Sequence, residues 1–377
     1  MLSPGISINV YKPLATGGAW IKDITAKVSD YQHSLKAVGG MDSASFTIAI
    51  PVSEADDWIE NGIGRRIMVY SPTLTNIFEG FVNMVDIQVG GLAVRSGPLM
   101  DCANRVQASY VTIDAAAVPP ILGVKDITTA VNNTASQGIY GILHDIIAFG
   151  GSTATEAATA AQVYLAENAY PKTSHDFVST GGDLSLKVSC LGYVHYLKKY
   201  PFNSALTGLG NISAMVAAVI TADPNALFTQ SITTNTLQVP QYQQDNDIAW
   251  SYLQSLINMG DATFARWLGY VGEGRVFYYA PAPTNYEYML NLYEHTSYIT
   301  TMSGGRIEPF DVQPGRWVFV NSLMVGRAMP TTADPTDPRS VFIEEVRFTA
   351  PYGLEINGLP VSRFSQLVKQ IYAGTAS

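Results

Sequence analysis

Five histidines carry the first chemical possibilities in this chain: His33, His144, His175, His195 and His295. They are scattered, and no two stand at metal-ligand spacing. His144-Asp145 sits in an apolar run and reads as a partly buried or surface histidine rather than a general base. His175-Asp176 follows a proline in a loop and can line a cleft, but no serine or cysteine motif accompanies it. Paired carboxylates are the second possibility, because glycan hydrolysis uses two acids flanking the scissile bond. Glu344-Glu345 lies in a strand-like run, where neighbours point to opposite faces and cannot flank one substrate. Asp56-Asp57 stands at a helix start and complements the helix dipole. No Gly-x-Ser-x-Gly elbow, phosphate-cradling loop or dinucleotide fingerprint is present. Cys102 and Cys190 lie in apolar strand-like runs and read as lone buried thiols. No catalytic residue, cofactor site or metal ligand is assigned.

The elements that position side chains are clearest over residues 245–281. Trp250, Leu253, Leu256 and Ile257 share one face at helical spacing. Asp245 and Asp247 offer oxygens to the free amides at the start, and Gly260 ends the helix. A hairpin follows, with strands at 264–271 and 276–280 and a turn at Gly272–Gly274, closed by Pro281.

Hydrophobic residues make up 47% and charged residues only 14% of the 377, well under the usual charged fraction of about 25%. So few charges, with 21 tyrosines, point to a chain that hides surface against partners. The net charge of −9 and the lack of basic runs exclude sequence-specific nucleic-acid binding, while an acidic wall can still face nucleic acid without holding it. The first residues lack the pattern of a signal peptide, and no apolar run approaches the roughly 20 residues of a membrane span. A reducing cytoplasm is the expected site of synthesis, so the glycosylation patterns at 132–134 and 211–213 are chance matches.

In chain order, residues 1–105 read as a first β-barrel-like domain. Strands are expected at 20–28, 43–50, 67–70, 77–89 and 92–100, with a short helix or turn at 53–60. Residues 106–180 are an Ala/Thr-rich helical insertion, in which Ile139, Ile142, Leu143, Ile146 and Ile147 form a stripe ending at Gly150-Gly151. The stretch 152–162 is a loop or a weaker helix. Residues 181–285 form an αβ middle domain, with a strand region at 183–200 and a helix at 211–221. Residues 286–377 are a second β-barrel-like domain. Its strands are expected at 287–292, 306–309, 316–323 and 341–348, followed by an amphipathic helix at 361–372. The fold class is therefore α+β and β-rich, with two barrel-like β domains and helical inserts between them.

Three local patterns carry a resemblance. Residues 38–48 (Val-Gly-Gly-Met-Asp-Ser-Ala-Ser-Phe-Thr-Ile) and 78–83 (Phe-Glu-Gly-Phe-Val-Asn) resemble the first barrel of the tail hub, or baseplate hub, proteins of tailed bacteriophages. Residues 186–193 (Leu-Lys-Val-Ser-Cys-Leu-Gly-Tyr) resemble the strand that opens that family's next section. The helix at 247–261 with Gly-Arg-Val-Phe at 274–277 is similar to its central αβ unit. The block 106–180 departs from the pattern.

The resemblance implies a structural, non-enzymatic protein of the virion tail tip, assembled in the host cytoplasm. It implies a homotrimer whose two barrels per chain make a pseudo-sixfold ring, adapting a sixfold tube to a threefold tip. DNA passes through the lumen without specific binding. The implied partners are distal tail or tube proteins, the tape measure protein and tip or fibre proteins, with no cofactor. Phe364, Leu367, Val368 and Ile371 are the candidate interface residues, with burial in their own chain as the alternative. Two rival functions remain at this stage: a tail-associated cell-wall hydrolase using His175 or Glu345, and a carbohydrate- or receptor-binding tail protein exploiting tyrosine and tryptophan.

Overall fold

Alternating apolar and polar residues build the first third of the chain. The computed structural model describes residues 5–114, 121–177, 184–204, 206–241, 243–291, 299–321, 332–334, 337 and 339–359. Strands β1 (Ser7–Tyr11), β2 (Trp20–Asp23), β3 (Val28–Lys36) and β4 (Gly39–Ile48) precede helix α1 (Val52–Asn61). Then come β5 (Arg66–Tyr70), β6 (Asn76–Val89) and β7 (Leu92–Ser96). The strand expected over 20–28 is broken, because the Asp23 carboxylate accepts from the Thr25 N–H at 2.7 Å and starts a turn at Thr25–Lys27. Asp56 and Asp57 fall inside α1 rather than at its start; Glu54 is the acid of the first turn. Asp57 instead holds the Arg65 guanidinium at 2.7 Å.

The next segment corrects the helical reading. Strands β8 (Arg105–Asp114), β9 (Ile121–Ile127) and β10 (Val131–Asn132) lead into α2 (Thr134–Tyr140), β11 (His144–Ser152) and α3 (Ala154–Asn168). The expected helix over 139–147 does not form. Helix α2 is capped by the Asn133 side chain, which accepts from the Ser136 N–H at 3.1 Å, and it stops before Gly141 at φ 77°. Ile146 and Ile147 then extend in β11, paired in parallel with Gln107 and Ala108 of β8. Branched isoleucines favour an extended backbone once a long-range partner strand is available. Helix α3 is the strong one: Thr153 and Glu156 form a complete capping box. Its Ala157 and Ala161 pack on Ala103, Val106, Ala108 and Tyr110.

Strands β12 (Thr173–Phe177) and β13 (Ser185–Gly192) return to the main sheet. The strand expected to run to 200 ends at Gly192, and Tyr193–Lys198 coil into a 3-10 turn. Short strands β14 (Pro201–Ser204) and β15 (Leu209–Asn211) lead to α4 (Ile212–Thr221), then β16 (Thr229–Ile232), β17 (Gln238–Pro240) and β18 (Gln243–Ile248). Helix α5 (Ala249–Met259) follows directly, with Ile248 at its N-cap and no side-chain cap. Asp245 and Asp247 therefore belong to a strand paired with β14, and the N-cap position falls to Ile248 rather than to either aspartate. Ile212, Met215, Val216, Val219 and Ile220 of α4 join Trp250, Leu253, Leu256 and Ile257 of α5 in one core. The expected hairpin forms as β19 (Trp267–Val271) and β20 (Val276–Pro281), and its second strand runs through Pro281. Its first strand starts at Trp267 rather than 264, because the Asp261 carboxylate accepts from the Thr263 and Ala265 N–H groups and holds a turn there.

Strands β21 (Tyr286–Asn291), β22 (Ile299–Thr301), β23 (Trp317–Asn321), β24 (Ser340–Thr349) and β25 (Gly353–Leu359) complete the described chain. The strand expected at 306–309 reduces to a single bridge from Arg306 to Thr300, followed by the turn Pro309–Asp311. The expected helix at 361–372, with Phe364, Leu367, Val368 and Ile371, lies outside the described residues. Eight antiparallel strands run side by side in the order β25–β24–β3–β4–β13–β6–β7–β12. The first and last thirds of the chain thus share one sheet system through the β3–β24 pair, and the molecule is β-rich α+β.

Candidate functional site: a polar sheet face over a glycine junction

The eight-stranded sheet has two chemically different faces. Inward residues Tyr31, Phe46, Ile48, Val85, Ile87, Leu186, Val188, Cys190 and Phe348 are all buried in one core. The outward face is small and polar. Arg347 of β24 stands beside Ser34 of β3, which stands beside Ser43 of β4. Gln32, Ser45 and Ser189 form the next row. Thr47, Lys187, Asp86 and Arg95 form a third. Neighbours hydrogen-bond across strands: Ser34 Oγ to Ser43 Oγ at 2.8 Å, and Gln32 Nε2 to Ser45 Oγ at 2.9 Å. The cations are mostly held by carboxylates: Arg95 on Asp86 at 3.1 Å, Lys36 on Asp42 at 2.9 Å, and Arg347 on Glu355 at 3.4 Å. Lys187 has no carboxylate partner among the described residues.

At one end of these strands the three family-like patterns converge. A Cβ on Gly40 would sit 2.1 Å from the Val271 carbonyl oxygen of β19. One on Gly80 would sit 2.3 Å from the Leu191 oxygen, and one on Gly192 only 1.7 Å from the Met41 oxygen. Each glycine is therefore required by a backbone passing too close for any side chain. Between them lies Glu79, its side chain 1% exposed, bridging Arg66 at 2.9 Å and Arg275 at 2.7 Å. Its other oxygen accepts the Gly274 N–H at 3.2 Å. Gly274 (φ 64°) and Arg275 (φ 62°) are both left-handed, so the hairpin turn is bent to present these donors. Glu79 joins the first sheet to the helix–hairpin unit almost two hundred residues away in sequence. The sequence reading missed it, although a lone carboxylate in an apolar strand signals a buried partner.

A half-buried charge cluster borders the junction. Asp42 faces His195 Nε2 at 3.2 Å, and His195 Nδ1 faces Lys198 Nζ at 3.3 Å. Burial alone would raise the Asp42 pKa, but bonds from His195 and Lys36 outweigh it and hold the carboxyl well below its ordinary range. Both nitrogens of His195 are engaged, and among the described residues no serine or cysteine hydrogen-bonds to the ring. His33 is fully buried on the core side, with Tyr31 Oη 3.0 Å from its Nδ1, and burial pushes its pKa down to about 3.

The residues singled out for hydrolysis are not brought together. His175 is exposed on β12, at one end of the sheet, and Glu345 sits on β24, next to the other end. Glu344 binds Arg266 at 2.6 Å while Glu345 turns to Arg347 at 3.6 Å, as expected of strand neighbours on opposite faces. His144 is buried, and burial together with Arg105 lowers its pKa to about 4. His295 lies outside the described residues. Cys102 and Cys190 are free and buried. Among the described residues no group of side chains could hold a metal ion, and no helix is long and apolar enough to cross a membrane.

No protein-family model matches the chain. No curated protein matches it either. Among solved structures it is similar to a tail protein from Neisseria meningitidis, at 10% identity and TM-score 0.43, over 94% of this chain and 96% of that one. It is also similar to a 43 kDa prophage tail protein from Shewanella oneidensis, at 8% identity and TM-score 0.42, over 97% and 98% of the two chains. A prophage tail protein from Listeria monocytogenes is similar at 8% identity and TM-score 0.40, over 98% and 99%.

Proposed function

We propose that this chain is a structural, non-enzymatic subunit of a bacteriophage tail hub at the tail tip. Three copies form a ring around the DNA channel and adapt a sixfold tube to a threefold tip. In this reading residues 1–105 and 286–377 supply the two β domains per chain. The middle domain at 181–285 locks them together, and 106–180 decorates the ring. Two similar β domains in one chain let three subunits present six near-equivalent edges. Tube or distal tail proteins, the tape measure protein and tip or fibre proteins are the neighbours.

The observation that carries the reading is the polar sheet face. DNA is held when lysines and arginines neutralise phosphates and release counterions. Here Lys36, Arg95 and Arg347 are held by carboxylates, Lys187 alone is left without one among the described residues, and the rest of the face is serine, threonine and glutamine. Such a face lets a duplex slide. A net charge of −9 adds long-range repulsion. The test is the mass of the purified protein in solution together with negative-stain images. A trimeric ring with a central hole fits the reading, and a compact monomer at every concentration overturns it.

A further inference from the structure

The departing block carries a feature the ring reading does not use. The outward side of α3 and the open edge of β11 enclose a shallow apolar groove of ≈ 530 Å³, lined by Ile147, Phe149, Ala160, Val163 and Tyr164. Val163 is 53% exposed and Phe149 38%, so large apolar surface is left uncovered. The charged side chains lining the groove are both acidic, Glu156 near one end of α3 and Glu167 near the other. Glu156 spends one carboxylate oxygen on its cap with Thr153, leaving the second oxygen available.

The chain contains a segment of the opposite kind. Residues 361–372 place Phe364, Leu367, Val368 and Ile371 at i, i+3, i+4 and i+7, and their only charges are Arg363 and Lys369. The two cations of this segment oppose the two acids that line the groove, so the charges are complementary. A second whole surface of this acidic chain would bring like charge to the rim, whereas this segment complements it.

The order of strands in the sheet favours a neighbouring copy as the donor of the segment. Helix α3 leads through residues 169–172 into β12, one edge of the eight-stranded sheet, while β25, which ends at Leu359, is the opposite edge. Seven steps of about 4.8 Å make the path along the sheet from edge to edge roughly 34 Å. Two residues beyond Leu359 reach at most about 7 Å. We propose that the α3–β11 groove receives the basic amphipathic segment 361–372 of a neighbouring copy, stapling adjacent subunits of the assembly. This rests on the self-assembling reading above and adds one contact between copies within that assembly.

The test uses the full chain with Val163→Cys in one preparation and Leu367→Cys in another, the native cysteines being buried. Mixing the two under mild oxidation should give a covalent dimer on a non-reducing gel that neither gives alone. Glu167→Lys in the groove partner should lower its yield by about threefold, and adding Lys369→Glu to the other should restore it. Absence of the mixed dimer, or a cross-link found only within one chain when both cysteines share it, overturns the inference. The wild-type mass in solution is read separately, so a trimer without the cross-link defeats the staple and leaves the ring standing.

Discussion

Removing the Glu79 carboxylate is the sharpest perturbation of the junction. In Glu79→Ala, Arg66 and Arg275 keep their positions, 16% and 23% exposed, with no counter-charge between them. Breaking a buried pair by deleting one partner costs about 3–5 kcal/mol, and the residual exposure of both guanidiniums places this case near the lower end, at about 3–4 kcal/mol. With 377 residues and an unfolding entropy of about 2.1 cal/mol/K per residue, each degree is worth about 0.8 kcal/mol, so the melting temperature should fall by about 4–5 °C. Glu79→Gln keeps an acceptor but loses the charge, and should fall by a smaller amount. Adding Arg275→Met to Glu79→Ala should cost little beyond the lost bond from Arg275 Nε to the Leu227 carbonyl, because the contact with Glu79 is already gone. Scanning calorimetry of the three variants reads this directly. A Glu79→Ala transition within about 1 °C of the wild type would refute the claim that this buried triad joins the first sheet to the hairpin.

Three further predictions follow from the same geometry. Gly192→Ala and Gly40→Ala each drive a Cβ into a backbone oxygen and should cost about 3 kcal/mol or more in urea unfolding, whereas Gly138→Ala, with open space around it, should be nearly neutral. His33 has a folded pKa of about 3 against an ordinary 6.5, so its neutral form stabilises the fold fully above pH 6.5 and that contribution is lost as pH falls toward 3. Between pH 6.5 and 4.5 the wild type should therefore lose about 2–3 kcal/mol more than His33→Phe, even though the variant starts lower because the Tyr31 hydroxyl loses its partner. Placing cations on the polar face with Ser45→Arg and Ser189→Arg should create duplex-DNA binding whose log–log salt slope steepens by about 2, measured by fluorescence anisotropy; unchanged weak binding would contradict the non-adhesive account of that face.

The elements legible in the sequence were those stabilised by local pattern. Helices α4 and α5 and the β19–β20 hairpin show their period within one window, and their apolar stripes became the core between them. The region 139–147 misled because a helical stripe of isoleucines also suits a strand. Gly141 and the distant β8 decided the matter, and neither competes within a helical window. Conversely, the loop or weaker helix expected over 152–162 is the strong helix α3, and the Thr153–Glu156 capping box is the local signal that identifies it. The glycines in the family-like patterns were visible as turn residues, yet only the fold shows why Gly40, Gly80 and Gly192 admit no side chain. Each is crowded by a carbonyl from another strand. The polar face was half legible, since Ser45 and Thr47 alternate with Phe46 and Ile48 along β4. The cross-strand pairing that assembles eight such alternations into one surface is not written in any single stretch.

The most direct measurement is a density map of the assembled protein, obtained by electron cryomicroscopy of the particles whose mass has been determined. The account predicts a closed ring whose lumen is lined by Gln32, Ser45, Asp86 and Lys187, with the apolar core face turned away from the hole. A ring that turns this face outward or buries it between subunits would contradict the central claim, as would particles with no central hole.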